Sequence, residues 1–449
     1  MKQVKLKLNP AKSYQTIEGF GASGAWWAQF VGGWPDETRR EIMRLLYHKE
    51  HGLGMQIYRY NLGGGSKESG NGRFDNLNRK ASSFLKADSD DYDWSRDAEA
   101  VWCMKEAVAN GADEVVLFVN SPPERWTKSG LTKGKYFLCA NLPRKNELKF
   151  TTYMLDVTEH FLAQGLPVKV LSPINEPFGP WIDKLAGQEG CHYRAHGVRR
   201  LLRLFAREMD KRPVLDGMML SGAEMNDLRY MNKTYTRAVL GDKTVRTRVD
   251  GIDVHGYVLK PLAWRKSKDV KRRFRKWMNR KYPGQPIRMS EWTEMQGGRD
   301  YGMQSALTLA NEVWEDLTIM DVVSWQKWIA VSEVDYSDGL IYVDQEKQTY
   351  DIPKRYYAYG QFTKFVPRGA QRIEIKGVPD ELQAVAFNCG THTAVIFINH
   401  TSSAMAISLG NGSAQLIETN EEKSLHRSEI DLAGFSIAAK SVNTVVIRA

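Results

Sequence analysis

The chain has 449 residues, of which 42% are hydrophobic and 26% charged, and its formal net charge is +10. This composition is typical of a globular protein of two or three domains and excludes a disordered chain. No apolar run approaches the roughly 20 residues that a membrane helix needs, so we expect no membrane partner. The basic N-terminal segment has no apolar leader core. We therefore expect a cytoplasmic protein, or a secreted one whose signal peptide is absent from this sequence.

The cysteines and the excess positive charge point to no special class of protein. The four cysteines are scattered without a CxxC pair, which predicts reduced thiols rather than a zinc ribbon or a disulfide framework. Part of the positive charge lies in residues 265–281, which are predicted to form a helix with Phe274 and Trp277 on its inner side. A solvated helix face is the favoured interpretation, and attraction to nucleic acid or an acidic polymer is the weaker alternative. We expect no nucleic-acid partner, and the sequence does not indicate an oligomeric state.

Short β-rich segments alternate with amphipathic helical segments over residues 15–364. Eight segments are predicted to be strands: 16–21, 55–61, 114–120, 168–175, 217–224, 249–257, 285–292 and 321–328. Predicted helices between them include 36–48 and 95–111. The second has Ser95 as its candidate N-cap and Gly111 just past its end.

The strand pattern favours an α/β fold, a (β/α)8 barrel over residues 15–364. A doubly wound open sheet would also alternate strands and helices. The barrel is favoured because nearly every predicted strand ends in a charged, amide or aromatic residue, and the C-terminal ends of barrel strands converge on one face. Residues 365–449 contain only short alternating strands, which predict a C-terminal β-sandwich. Residues 1–14 alternate in the same way and are predicted to join that sandwich.

Two predicted strands end in glutamate residues that suggest catalysis. Glu176 lies in SPINEP after the fourth strand and Glu291 in IRMSEW at the end of the seventh, on opposite sides of the predicted barrel. Hydrolysis of a glycosidic bond needs a general acid and a second carboxylate that acts as nucleophile or base. These two glutamates are predicted to be that pair, and Glu224 and Glu294 are weaker candidates. The 13 tryptophans give weak further support, because tryptophan also stacks on sugar rings.

The ordered motifs of the chain resemble a known family. NEP on strand four with a glutamate on strand seven resembles the retaining glycoside hydrolases of clan A. GFGASGAWWA (19–28), RYNLGGGS (59–66), NSPPERW (120–126) and HGY (255–257) are similar to segments of glycoside hydrolase family 30. The likeness covers essentially the whole chain, and that family also has a barrel with a side sandwich built from both chain ends. The WWA and RYN-Gly-Gly segments most resemble the endo-β-1,6-galactanase branch.

The resemblance implies a role for each candidate site residue. Glu176 is implied to be the acid/base and Glu291 the nucleophile of a retaining enzyme without a metal or organic cofactor. Asn175 would hydrogen-bond the sugar 2-hydroxyl, Arg59 would hold a carboxylate ionised, and Tyr257 would hydrogen-bond the nucleophile. The other predicted substrate-binding residues are Asn61, Asn120, Trp126, Glu224, His255, Trp292 and, as the platform for the −1 sugar, Trp325. The implied substrate is a plant-type carbohydrate, most simply β-1,6-galactan cleaved internally or from chain ends.

One loop departs from the galactanase pattern. That branch is expected to place an aromatic residue soon after NSPP, whereas here Glu124 and Arg125 precede Trp126. Arg125 either pairs with Glu124 or meets a carboxylate such as a glucuronate of the substrate. A xylanase or glucuronoxylanase, or another exo-β-glycosidase of the same family, is therefore an alternative. The polar segment 67–95 is expected to lie over the active-site face, where it would favour cleavage at chain ends.

Two functions of other classes match parts of the sequence less well. GFGASG (19–24) matches GxGxxG, but no helix opens directly at the glycines and the next strand ends in RYN, so a chance match is favoured over a dinucleotide site. A non-catalytic carbohydrate-binding protein would keep the aromatic residues. It would not need both Glu176 and Glu291, so the sequence favours an enzyme.

Overall fold

The computed structural model describes residues 3–229, 232–249, 251–257 and 267–448. Eight strands form its parallel sheet: β1 Gly19–Ser23, β2 Ile57–Asn61, β3 Glu114–Phe118, β4 Val168–Ser172, β5 Met219–Leu220, β6 Ile252–His255, β7 Ile287–Trp292 and β8 Ser324–Lys327. Strands β2 to β8 lie inside the predicted segments, and β1 overlaps its segment and extends past it. Residue 250 of the sixth predicted strand lies outside the described residues.

The eight strands form one curled sheet. Their order is β5-β4-β3-β2-β1-β8-β7-β6, and the pairs β2–β3, β3–β4, β4–β5 and β6–β7 are parallel. The two ends of this order meet through a parallel bridge between Met225 and Val254, where the His255 amide donates to the Met225 carbonyl at 2.9 Å. A single eight-stranded parallel sheet whose two ends are bridged agrees with the predicted barrel better than with a doubly wound open sheet.

The inward side of the barrel changes character along the strands. Near their N-terminal ends, Ile57, Val116, Val170 and Met219 form an apolar cluster. Because side chains two positions apart share a face of a strand, the next inward residues on β2, β3 and β4 are Arg59, Phe118 and Ser172. All three are buried. An apolar layer thus supports a polar layer at the C-terminal end.

The helices follow the sequence prediction with one correction. They occupy Ala28–Val31, Asp36–Tyr47, Ser66–Ser69, Ala98–Ala109, Glu147–Ala163, Ala195–Met209, Asn232–Leu240, Lys243–Arg246, Ser267–Lys281, Met303–Glu315 and Lys354–Thr363. The prediction of Ser95 as an N-cap is wrong, because the helix begins at Ala98 with Asp97 as its N-cap. The Ser95 hydroxyl instead donates to Asp93 at 2.6 Å, which forms a turn before the helix. Gly111 follows the helix end, as predicted.

The basic helix and the cysteines agree with the sequence interpretation. In the helix Ser267–Lys281, Phe274 and Trp277 are buried as predicted; residues 265 and 266 lie outside the described residues. Each of the four cysteines is free. Among the described residues, no helix is both long and apolar enough to cross a membrane.

The chain divides into two compact units. One contains Ala22–Met43 and Ile57–Trp292, and therefore β2 to β7; the other contains Met1–Gly21, Arg44–Gln56 and Thr293–Ala449. In the second unit a seven-stranded sheet has the order His426–Asp431, Ser413–Thr419, Ser441–Arg448, His392–Asn399, Leu382–Asn388, Gln371–Lys376, Lys7–Thr16. A three-stranded sheet has the order Val4–Lys5, Met405–Ser408, Phe435–Ile437, and another has the order Val331–Ser332, Ile341–Asp344, Thr349–Asp351.

The N-terminal strands of the second unit pair with its C-terminal strands. Lys7–Thr16 runs antiparallel to Gln371–Lys376, and Val4–Lys5 runs parallel to Met405–Ser408. One apolar cluster draws on the seven-stranded sheet and on the first three-stranded sheet, with members that include Val395, Phe397, Val445, Ile407 and Ile437. Apolar residues of both sheets are thus buried together, and this burial stabilises the region.

Candidate active site

Arg59 is the centre of a polar cluster inside the barrel. Its side chain on β2 is fully buried, and its guanidinium lies 3.6 Å from the centroid of the Phe118 ring. Nη1 donates to Glu291 at 2.7 Å, and Nη2 donates to Glu224 at 2.5 Å and to the Asn175 side-chain oxygen at 3.0 Å. One planar guanidinium therefore fixes two carboxylates and one amide that come from three other parts of the chain.

His255, at the end of β6, connects three glutamates. Its Nδ1 lies 2.8 Å from Glu176 Oε1 and 3.4 Å from Glu291 Oε1, and its Nε2 lies 3.1 Å from Glu224 Oε2. A register shift between Val254 and His255 places His255 opposite Glu291 on β7. Such irregularities re-aim side chains near functional sites, which accounts for the position of the ring.

The charges of the cluster follow from its contacts. Burial by itself would lower the pKa of His255, but the charge of Glu291 and the hydrogen bonds to Glu176 and Glu224 raise it to about 10. The ring is therefore an imidazolium at neutral pH, and both of its N–H groups donate. Burial would raise the pKa of Glu224, but Arg59, His255 and the Ser172 hydroxyl together lower it to about 2. Glu224 is therefore a permanent anion that balances part of the cationic charge.

Glu291 is held by donors on two sides. Besides Arg59 at Oε2, the Tyr257 hydroxyl donates to Glu291 Oε1 at 3.1 Å. Burial raises the pKa of Glu291, the nearby charge of Glu176 adds to the rise, and His255 and Arg59 act against it. The carboxylate is thus oriented by two hydrogen bonds and loses its charge at a higher pH than an ordinary glutamate does.

Glu176 has an unusual backbone. Its φ of +46° lies in the left-handed region, which residues with a Cβ seldom adopt. Its N–H donates to the Glu224 carbonyl at 3.0 Å, and its own carbonyl accepts from the Gly179 N–H at 2.9 Å and from Trp181 Nε1 at 2.7 Å. The surrounding hydrogen bonds therefore determine where the Glu176 side chain points, and it remains partly exposed.

The carboxylates of Glu176 and Glu291 face each other. One oxygen of each, together with a ring nitrogen of His255, lies within a group of atoms no more than 4.8 Å apart. Three such atoms are also a candidate set for a metal ion. Both ring nitrogens of His255 are already hydrogen-bonded to carboxylates, and a raised pKa keeps the ring protonated, so these residues do not fit a metal site.

A chain of amides extends the cluster. The Asn175 amide nitrogen donates to Asn120 at 2.9 Å, and the Asn120 amide nitrogen donates to Asn61 at 3.2 Å. All three are nearly fully buried at the ends of neighbouring strands. These three residues and the six described above, from Arg59 to Glu291, are the predicted site residues that the structure joins in one hydrogen-bonded network.

Three predicted tryptophans lie outside this network. Trp126 donates to Asp90 at 3.0 Å and packs edge-on against Tyr153, so local packing accounts for it. Trp292 is buried at the end of β7 against Gly256, where an added Cβ would lie 2.7 Å from the indole. Trp325 belongs to the second unit, is fully buried, and donates to Asp316 at 2.9 Å. Their predicted contacts with substrate stay predictions.

Other charged candidates have structural partners. The Arg125 guanidinium donates to the carbonyls of Lys86, Ala87 and Ser89, a set of partners that neither sequence interpretation included. It thereby ties the polar segment 67–95 to the loop after β3. Glu294 accepts from Ser305 and lies 3.4 Å from Arg355, so it forms an ion pair within the second unit.

Sequence reasoning missed two contributors to the cluster. Phe118 packs under the Arg59 guanidinium, and the Ser172 hydroxyl donates to Glu224. Both are the last residues of their strands and both occupy the inward position of the alternation. The alternation of inward and outward side chains along a strand could have identified both residues, because this alternation applies to every barrel strand whatever the residue type.

Comparison with known proteins identifies relatives over almost the whole chain. Residues 3–243 and 289–342, more than half of the sequence, match the family model described as O-Glycosyl hydrolase family 30. An endo-β-1,6-galactanase of Hypocrea rufa is 24% identical over 433 residues, which cover 90% of this chain and 82% of that protein.

Solved structures share the fold. A conserved exported protein of Bacteroides fragilis matches with a TM-score of 0.90 and 23% identity, over 98% of this chain and 100% of that one. The catalytic domain of the family 30 xylanase C of Talaromyces cellulolyticus matches with a TM-score of 0.75 and 18% identity, over 99% of this chain and 100% of that one. At these identities the structural matches establish the fold and not the substrate.

Proposed function

The chain belongs to O-glycosyl hydrolase family 30 and is a glycoside hydrolase, and from this premise we propose that it cleaves β-glycosides with retention of anomeric configuration. Glu291 is the nucleophile and Glu176 the acid/base. The observation that carries this assignment is the close approach of the two carboxylates, whose nearest oxygens lie within 4.8 Å. Retaining enzymes hold their carboxyl groups about 5–5.5 Å apart, whereas inverting enzymes leave about 6.5–9.5 Å for a water.

The reaction has two displacements. In the first, Glu291 attacks the anomeric carbon while Glu176 gives its proton to the leaving oxygen, which breaks the glycosidic bond and leaves a covalent glycosyl-enzyme. In the second, Glu176 takes a proton from water, which attacks the same carbon and releases Glu291. Two inversions give net retention, and the site needs no other reactant than water.

The surrounding groups prepare the two carboxylates. Arg59 and Tyr257 each donate to one carboxylate oxygen of Glu291, and these two hydrogen bonds orient the carboxylate for attack on the anomeric carbon. The Asn175 amide nitrogen carries two hydrogens, of which Asn120 accepts one. The other is the donor that we assign to the sugar 2-hydroxyl, a contact that strengthens in the transition state.

The proposed substrate is β-1,6-galactan, attacked internally or from chain ends. It is supported by the similarity to the Hypocrea rufa endo-β-1,6-galactanase and by the WWA and RYN-Gly-Gly segments. A xylanase or glucuronoxylanase, or another exo-β-glycosidase of the same family, is the second candidate, raised by the loop in which Glu124 and Arg125 precede Trp126. Because the Arg125 guanidinium already donates to three backbone carbonyls, we do not assign it to an acidic sugar. This contact pattern favours galactan over glucuronoxylan.

The proposed architecture completes this assignment. It is a (β/α)8 barrel that carries the catalytic residues, with a side β-sandwich built from residues 1–14 and 365–449. The pairing of the N-terminal strands with C-terminal strands supports it.

The test is hydrolysis of β-1,6-galactan and glucuronoxylan by the wild type, Glu176→Gln and Glu291→Gln. We expect the wild type to release β-1,6-linked galactose products whose newly formed ends are β-anomers by NMR at early times. We expect Glu176→Gln to lose at least about 100-fold in kcat, the lower range for loss of general acid–base catalysis, and Glu291→Gln, which removes the nucleophile, to lose at least as much. Undiminished turnover by either variant, or release of α-anomers, would refute the proposal, and sugar binding without turnover would indicate a binding protein.

A further inference from the structure

Trp181 contacts the backbone of the proposed acid/base. Its indole Nε1–H donates to the Glu176 carbonyl at 2.7 Å, and the Gly179 N–H donates to the same oxygen at 2.9 Å. Both lone pairs of this carbonyl are therefore occupied. The hydrogen-bonded residue is the one whose φ of +46° is disfavoured for any side chain with a Cβ, so the bonds hold Glu176 in a conformation it would otherwise leave.

The Trp181 indole packs closely against two glycines. A Cβ added at Gly179 would lie 2.3 Å from the indole, and one added at Gly190 would lie 2.2 Å from it. No other residue type fits at either position without moving the ring. The two glycines thus leave space for the ring, and this close packing restrains the direction of the Nε1–H bond.

The backbone of Trp181 is anchored to the loop that follows β3. Its carbonyl accepts from the Gly134 N–H at 2.9 Å, and the Asp183 N–H donates back to the Gly134 carbonyl at 3.0 Å. Beside this bridge, the fully buried Lys133 ammonium lies 3.0 Å from Asp183. Trp181 is therefore held by its ring and by its main chain, which makes it a rigid support for Glu176.

We propose that Trp181 is a positioning residue for general acid–base catalysis, acting through the Glu176 backbone. By fixing the left-handed conformation of Glu176, it places the carboxyl group where it can protonate the leaving oxygen. This inference rests on the proposed function, in which Glu176 is the acid/base. Trp181 then affects the proton transfer at Glu176 and leaves the nucleophilic attack by Glu291 unaffected.

The leaving group of the substrate separates these two effects. A 2,4-dinitrophenyl glycoside departs without a proton, whereas a phenyl glycoside depends on the general acid. We expect Trp181→Phe, which keeps an aromatic ring and removes the N–H donor, to lower kcat/KM for phenyl β-1,6-galactobioside by about tenfold, a fraction of the full general-acid effect. For the 2,4-dinitrophenyl galactobioside we expect a change of less than about twofold.

A second variant tests the same contact without removing the donor. Gly179→Ala would push the indole away from the Glu176 carbonyl, and we expect the same dependence on leaving group. The matched control is Trp314→Phe, because Trp314 Nε1 also donates to a backbone carbonyl, that of Ala384, at 2.9 Å in the second unit. The control is expected to leave both kcat/KM values unchanged.

Several outcomes would overturn the inference. Equal losses on the two glycosides in both variants would indicate a merely structural role, and no loss in either would show that the contact has no function. A crystal structure of Trp181→Phe with Glu176 still at a φ near +46° and bonded to His255 would also contradict it. Failure of the proposed function looks different: the wild type would hydrolyse neither glycoside, or Glu176→Gln would retain full activity, and the inference would fall with it.

Discussion

Replacement of Arg59 by lysine is the sharpest test of the buried cluster. Arg59→Lys keeps the positive charge but replaces a planar fork with a single ammonium nitrogen. In the wild type, Nη1 serves Glu291 while Nη2 serves Glu224 and Asn175. An ammonium that reaches one carboxylate removes the hydrogen bonds that Arg59 gives to the other carboxylate and to the amide.

The magnitude follows from the bonds that are lost. A hydrogen bond to a charged group contributes about 1.5–3 kcal/mol and a neutral one about 1 kcal/mol. Loss of one carboxylate contact and of the Asn175 contact should therefore lower the free energy of unfolding by about 3 kcal/mol. Breaking a buried ion pair lowers it by a similar amount, roughly 3–5 kcal/mol. A loss of about 3 kcal/mol in the free energy of unfolding raises the unfolding equilibrium constant about 150-fold.

The assay is urea unfolding followed by tryptophan fluorescence, with Arg200→Lys as the control. Arg200 also holds a glutamate with two nitrogens, Glu147, but its side chain is 37% exposed. For a pair of that exposure we expect a loss of less than about 1 kcal/mol. A loss for Arg59→Lys no larger than for Arg200→Lys would refute the reasoning, because it would show that the buried fork is not what stabilises the cluster.

Three further predictions concern pH and single contacts. The acidic limb of kcat/KM should lie above pH 4.5, because burial and Glu176 raise the pKa of Glu291, and the proposed nucleophile must be ionised to attack; a pH–rate profile with its limb at or below 4.5 would contradict this. Tyr257→Phe removes the hydroxyl that donates to Glu291 at 3.1 Å and stabilises its ionised form. We expect kcat/KM to fall about tenfold and its acidic limb to move to higher pH, and an unchanged pH–rate profile would show that this hydrogen bond does not act on Glu291. Glu224 has a pKa of about 2 against 4.5 in the unfolded chain, so its contribution to stability is complete above pH 4.5 and lost as the pH falls towards 2. His255 has a pKa of about 10 against 6.5, so its contribution is complete below pH 6.5 and lost as the pH rises towards 10. Urea unfolding between pH 3 and 10 measures both, and Glu224→Gln should remove the acidic part of the dependence; if the variant keeps it, another carboxylate is responsible.

The sequence predicted the barrel strands well because their period is local. Strands β2 to β8 lie inside segments chosen from alternation, apolar content and turn residues alone. The N-cap of the helix Ala98–Ala109 was misplaced by two residues, because Ser95 and Asp97 are both suitable residue types. The structure distinguishes them, because the Ser95 hydroxyl donates to Asp93 in the preceding turn and does not cap the helix.

The roles of individual tryptophans could not be predicted from the sequence. Trp126 and Trp325 have the residue type that binds sugars, yet their indole nitrogens bond to Asp90 and Asp316. Trp181, which is of the same residue type, instead donates its indole N–H to the Glu176 carbonyl. The sequence does not distinguish a tryptophan that packs in a core from one that stacks on a sugar or positions a catalytic residue. That role depends on which neighbours the fold brings to the indole.

By itself the sequence predicted that Glu176 follows the fourth strand and that Glu291 lies at the end of the seventh, since both predictions follow from the strand period and from the convergence of barrel strands. Only the tertiary structure decided how the pair is held. The shift in register before His255, the left-handed backbone of Glu176 and the sharing of Arg59 by three acceptors join residues that are distant along the chain. Their energies depend on burial and on distances of a few ångströms, and no local pattern records these.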